Sequence, residues 1–188
     1  MNENRREASF PSEIMLRYLS FLLIPILAFA ALAQTPRKPG VPGSNNYLAT
    51  KPNFSGRWRM VKDKSNFSGF TVPDVLVQVV EDKIPAMNVH TVQTKGGKTS
   101  TADVMYFTDG RGSSNIINGR DATSKAYWDG PALIVRTNMK DSKGNDVQME
   151  DRWALSPDKQ TLTRSSHVVT STGGEVNLTL VCQKENAG

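Results

Sequence analysis

From residue 53 onward, apolar and polar positions alternate in short runs. In VQMEDRWAL, residues 147–155, Val147, Met149, Trp153 and Leu155 share one side, with Asp151 interrupting them, and Gln148, Glu150 and Arg152 share the other. ALIVRTNM brings Leu133, Val135 and Met139 together, and KAYWDG pairs Ala126 with Trp128. A period of two marks a half-buried strand. Such runs cover residues 55–62, 75–81, 86–94, 99–107, 113–118, 122–128, 132–139, 146–155, 161–169 and 175–183. Turn-forming pairs separate them, among them Asn118-Gly119, Asp109-Gly110 and Asp129-Gly130. Asn-Gly and Asp-Gly suit tight hairpins because both central residues of a type I′ turn need positive φ. No window longer than two turns shows helical spacing after residue 53. The pattern predicts an all-β domain, an up-and-down antiparallel meander of eight to ten strands. A meander of this size hides its edges best by closing into a barrel, with a two-sheet sandwich as the alternative.

Upstream the pattern changes. Arg17 precedes an apolar run from Leu19 to Ala33 that ends in Ala31-Leu32-Ala33. A charged segment, an apolar segment and small residues at a cleavage point form a secretory signal peptide. A run of fifteen residues is shorter than the roughly 20 of a membrane-spanning helix. Residues 1–33 are therefore read as a signal peptide, with Met15 as an alternative start, and the protein is expected to be secreted or periplasmic. Residues 34–52 hold four prolines and no periodicity and read as a linker. Residues 53–184 form the barrel domain.

Asn-Phe-Ser-Gly occurs at residues 53–56 and again at 66–69. The segments that follow, RWRMVKDK and FTVPDVLV, do not match, so the copies flank one strand and are not repeat units. Asn and Ser bond nearby backbone and Gly permits sharp turns. Phe54 and Phe67 are placed to plug the two ends of a barrel.

Composition narrows the functional classes. The 188 residues carry 23 Lys and Arg against 18 Asp and Glu. The basic residues are scattered, whereas nucleic-acid binding needs a clustered patch, so no nucleic-acid partner is expected. The single cysteine, Cys182, forms no internal disulfide and alternates with Val176, Leu178 and Leu180 as a small core residue. The histidines, His90 and His167, lack metal-ligand spacing. GGKTS, residues 96–100, sits at a hairpin tip without the upstream glycine of a phosphate loop. No metal, cofactor or catalytic group is assigned, and the protein is read as a non-enzyme.

NFSGRWRM followed by SNF resembles the opening strand of the calycins, the lipocalins and intracellular fatty-acid-binding proteins, which carries Gly-x-Trp. YWDGPALIVRT resembles the Trp-Asp-Gly hairpin of the fatty-acid-binding branch, and residues 149–184 resemble its closing strands. The likeness covers residues 53–184 and points to lipocalin-like domains of secreted bacterial proteins. It implies a lipocalin-like barrel enclosing a small apolar molecule. Two features depart from the family: the terminal Arg-x-Tyr that grips a carboxylate is replaced by LVCQK, and the space for a helical lid shrinks to residues 63–74. Lipocalins also pack a late cation across the Trp, for which Arg152, Arg164 and Lys184 are the candidates.

Asp151 is the most informative polar residue. Strict alternation points it inward, where a carboxylate is costly unless paired, and Arg136 and Arg164 are the candidate partners. The expected interior, and hence the candidate ligand-binding set, comprises Trp58, Met60, Tyr106, Trp128, Arg136, Met149, Asp151, Trp153 and Arg164. Val77, Val89, Val135, Leu178 and Leu180 are expected to leave space between them. The leading expectation is an exported monomer that binds a small hydrophobic or amphiphilic ligand and touches a membrane only through its leader. The alternative is a solid-cored barrel serving as a protein-interaction or cell-envelope module. An internal pocket above roughly 300 Å³ would favour the first.

Overall fold

The computed structural model describes residues 51–186; the segment read as a signal peptide, most of the segment read as a linker and the last two residues lie outside them. Ten strands follow one another: β1 (Gly56–Met60), β2 (Val75–Lys83), β3 (Ala86–Lys95), β4 (Lys98–Phe107), β5 (Gly112–Ile117), β6 (Arg120–Asp129), β7 (Ala132–Lys140), β8 (Asp146–Leu155), β9 (Thr161–Thr170) and β10 (Glu175–Glu185). All pairs are antiparallel, in the order β4-β3-β2-β1-β10-β9-β8-β7-β6-β5. The result is a meander curled into a nearly closed barrel, as the alternation predicts. β1 pairs with β10, Met60 opposite Cys182 and Trp58 opposite Lys184, so the two ends of the domain join.

The seam lies instead between β4 and β5, which end the hydrogen-bonded order. There a side chain takes the place of a ladder. Asn115 on β5 accepts the Met105 N–H at 2.8 Å and donates from Nδ2 to the Met105 carbonyl at 3.0 Å. A primary amide presents one acceptor and one donor side by side, as a neighbouring strand would.

Turn chemistry follows the sequence in part. Asn118 and Gly119 both take positive φ, 53° and 74°, as a type I′ hairpin requires. At Asp109-Gly110 and Asp129-Gly130 only the glycine does.

The two Asn-Phe-Ser-Gly copies prove to be one device used twice. In each, the Asn Oδ1 accepts the N–H of the Ser two residues on, at 2.7 Å from Ser55 and 3.3 Å from Ser68. Each turn presents its phenylalanine to the core, where Phe54 and Phe67 are buried. Phe54 stacks on Trp128 and meets Trp153 edge-on, with centroids 5.9 and 6.0 Å apart. Phe67 closes the other end, its loop tied to β10 by the Asn66–Thr179 bridge and by Ser68 Oγ donating to the Asn177 carbonyl at 2.7 Å. The region available for a lid holds a single 3-10 turn, Lys62–Lys64.

The Phe54 plug depends on Asp82, which accepts the Phe54 N–H at 3.0 Å through Oδ2 and leaves Oδ1 without a partner. Burial pushes the Asp82 carboxyl above its usual pKa, partly offset by the Phe54 N–H. A raised native pKa means that the folded state holds the proton more tightly than the unfolded state. The associated stability is present in full below the ordinary carboxylate value and is lost as pH rises through the native one. Asp82→Asn is therefore expected to be more stable than wild type at neutral pH, the gap closing as pH falls towards 4. Urea midpoints across that range check this, and a gap independent of pH would contradict it.

Candidate functional site

Alternation carries Gln78 of β2, Thr91 of β3, Tyr106 of β4, Asp151 and Trp153 of β8 and Arg164 of β9 to the interior. Together with Val89, Ala102, Val104, Ile117 and Met149 they line one cavity of about 40 Å³. At its heart is a buried ion pair. Arg164 donates from Nη2 to Asp151 Oδ2 at 3.1 Å, with 7 % and 1 % of the two side chains exposed. Ser166 Oγ donates a short bond to Asp151 Oδ1. The Arg164 guanidinium also lies 4.3 Å from the Trp153 ring centroid, a cation–π contact strengthened by loss of water.

The rest of the lining is polar but incompletely paired. Gln78 donates from Nε2 to Thr91 Oγ1 at 3.1 Å, while its Oε1 has no partner. Arg164 Nε and Trp153 Nε1 are likewise buried without partners. Burial pushes the Tyr106 phenol up to about 12, with Arg164 pulling it down and Asp151 raising it, so it stays protonated at neutral pH. A buried polar group left unpaired costs about 1–3 kcal/mol. Three such atoms belong to residues that line one cavity.

Of the expected interior residues, Tyr106, Met149, Asp151, Trp153 and Arg164 converge here. Trp58 and Met60 are buried in the core but do not line the cavity, and Trp128 is half-buried against Phe54 at the end of the barrel. Placing Arg136 inside is corrected. Its neighbours Val135 and Thr137 are buried, it is exposed, and it pairs with Glu150 at 2.6 Å. Asp151 therefore takes Arg164 as its partner. Val77 is also corrected: it adjoins the inward Gln78, so it falls on the outer face, opposite Arg59 and Val92.

Gln78 and Thr91 were absent from the expected set. Their signal was present, since Gln78 shares a strand face with Leu76 and Val80, but the continuous run VLVQVV obscured it. The histidines face outward, His90 against Asp103 at 2.6 Å and His167 against Asn177 at 2.8 Å. Cys182 is buried, its thiol pushed up to about 12 by burial.

The opening Gly-x-Trp also acquires a physical account. Lys184 of β10 lies with Nζ 5.2 Å from the Trp58 ring centroid, and Trp58 Nε1 donates to the Phe54 carbonyl at 2.9 Å. Gly56 has φ +147°, and a Cβ there would come within 2.7 Å of Lys184 Cε. Glycine leaves the lysine stem room to cross the indole. Of the three candidate cations, Lys184 covers Trp58, Arg164 covers Trp153, and Arg152 is on the surface with Asp129.

No protein-family model and no curated protein matches the chain. Solved structures do. Secretory abundant heat soluble protein 4 from Ramazzottius varieornatus aligns with a TM-score of 0.50 at 13% identity, over 73% of this chain and 98% of that one. The fold is calycin-like. Apo lipid binding protein 8 of Caenorhabditis elegans aligns at 0.48 with 13% identity, over 70% of this chain and 95% of that one. Human cRBP IV aligns at 0.44 with 15% identity, over 71% and 99%. At such identities the calycin-like likeness concerns architecture alone, because one fold hosts many functions.

Proposed function

We propose that this calycin-like barrel binds a small amphiphilic molecule, holding its polar end in the cavity beside Arg164. The carrying observation is that three residues lining one cavity, Gln78, Trp153 and Arg164, each hold a buried polar atom without a partner. Ala102 and Val104 supply a path for an apolar tail: both line the cavity from β4, at the seam, and both are only half-buried. The role is binding and not catalysis, since Asp151 is engaged by Arg164 and Ser166 and both histidines lie outside the cavity. The apolar run ending in Ala31-Leu32-Ala33 supports export, with the barrel acting as a monomer in a secreted or periplasmic setting.

A second reading, the solid-cored barrel, draws on volume. About 40 Å³ is well short of the roughly 300 Å³ of a drug-sized pocket. An interaction module would also need a contiguous exposed apolar patch. Among the described residues the exposed large apolar side chains, Val75, Ile84 and Ile116, lie on β2, the β2–β3 turn and β5, which favours the binding reading.

Trp153 makes the test direct. Titrating the full chain with 1-octanol is expected to change tryptophan fluorescence saturably. Arg164→Met, checked for folding by circular dichroism, should weaken the response at least tenfold. An unsaturable response from wild type, with no small molecule retained in native mass spectrometry, would favour the solid core.

A further inference from the structure

The cavity wall contains two ionised side chains, and they cancel. Among its lining residues only Asp151 and Arg164 are charged at neutral pH, and they face each other at 3.1 Å. A carboxylate head group would add a third charge to a site already balanced and would remain uncompensated away from water, which is costly. An ammonium head group would meet an Asp151 whose two oxygens already accept from Ser166 and Arg164.

The vacant hydrogen-bonding groups describe a different guest. Arg164 Nε and Trp153 Nε1 offer N–H groups without acceptors, and the Tyr106 hydroxyl, kept protonated, adds a third donor. Gln78 is adaptable. Its partner is the Thr91 hydroxyl, which can donate or accept, so the Gln78 amide can turn either end to the guest. These groups suit an oxygen lone pair, with or without a proton beside it. Roughly 10–15 Å³ of such space holds one water-sized group, so about 40 Å³ takes a hydroxyl or a carboxamide and little else.

We propose that the site selects an uncharged, oxygen-bearing head group, an alcohol or a primary amide, over carboxylate and ammonium ends, because Asp151 already neutralises Arg164. This rests on the binding reading above and specifies its ligand class.

The test uses four probes of equal chain length on the full chain at neutral pH: 1-octanol, octanamide, octanoate and octylammonium, followed by tryptophan fluorescence and calorimetry. The alcohol and amide are expected to bind at least tenfold more tightly than either ion. In Asp151→Asn the site carries a net positive charge, and octanoate should gain at least tenfold relative to 1-octanol. If that variant does not fold, the wild-type ranking alone decides. Octanoate or octylammonium binding wild type as tightly as the alcohol would overturn the head-group inference and leave the site standing. No binding by any of the four would overturn both.

Discussion

Asp151→Ala is expected to cost about 3–5 kcal/mol of stability, because it strands a buried guanidinium without its counter-charge. Arg164 is 6 % exposed, its Nε already lacks a partner, and Nη2 donates to Asp151. Removing the carboxylate leaves that charge facing only Trp153 and the neutral groups of the cavity. The paired replacement Asp151→Leu with Arg164→Met removes both charges and keeps the volume apolar. Replacing a buried ion pair by well-packed apolar residues is often neutral or stabilising, so the double variant should recover most of the loss. It should also fail to bind any head group, which would separate the pair's contribution to folding from its contribution to recognition. Urea unfolding of wild type, Asp151→Leu, Arg164→Met and the double variant closes the cycle, with Asp151→Ala measured beside them. A single substitution costing under about 1 kcal/mol, or a double variant no better than Asp151→Ala, would contradict the account.

Trp58→Ala is expected to be comparably severe, about 3–5 kcal/mol, as for a fully buried aromatic reduced to a methyl group. It removes the ring under Lys184 and the Nε1 bond to the Phe54 carbonyl, loosening the aromatic end of the barrel. The subtler variant is Gly56→Ala. Its φ of +147° lies where side chains are rarely tolerated, a strain of about 1–3 kcal/mol. The new methyl would also displace the Lys184 stem. In a Lys184→Ala background the collision is gone and the backbone strain stays, so Gly56→Ala should cost less there than in wild type. Strict additivity would show that the lysine does not constrain this glycine.

The architecture was legible because each strand carries its own period-two signal, and period two survives whatever the neighbouring strand does. Asp151 was legible for the same reason, as a carboxylate on an otherwise apolar face. Its partner was not, since cross-strand pairing depends on register between β8 and β9, which neither strand contains alone. The grouping of Leu133, Val135 and Met139 on one face of β7 does turn Arg136 outward. Gln78 was hidden by valines on both faces of its strand. The size of the cavity lay further out of reach. It depends on how side chains from six strands fill a common space, where shape and not polarity decides. The site of the seam was equally hidden, because alternation describes faces and says nothing about where a curled sheet leaves its edges unjoined.

That seam has a mechanical consequence. A cylinder laced around its whole circumference can widen only by tearing a row of backbone bonds, a cooperative and expensive event. Here the clasp between β4 and β5 is the Asn115 side chain, which rotates about its own bonds without moving either strand. Among the described hydrogen bonds, parting β4 from β5 costs the two bonds of one amide and leaves the strand ladders intact.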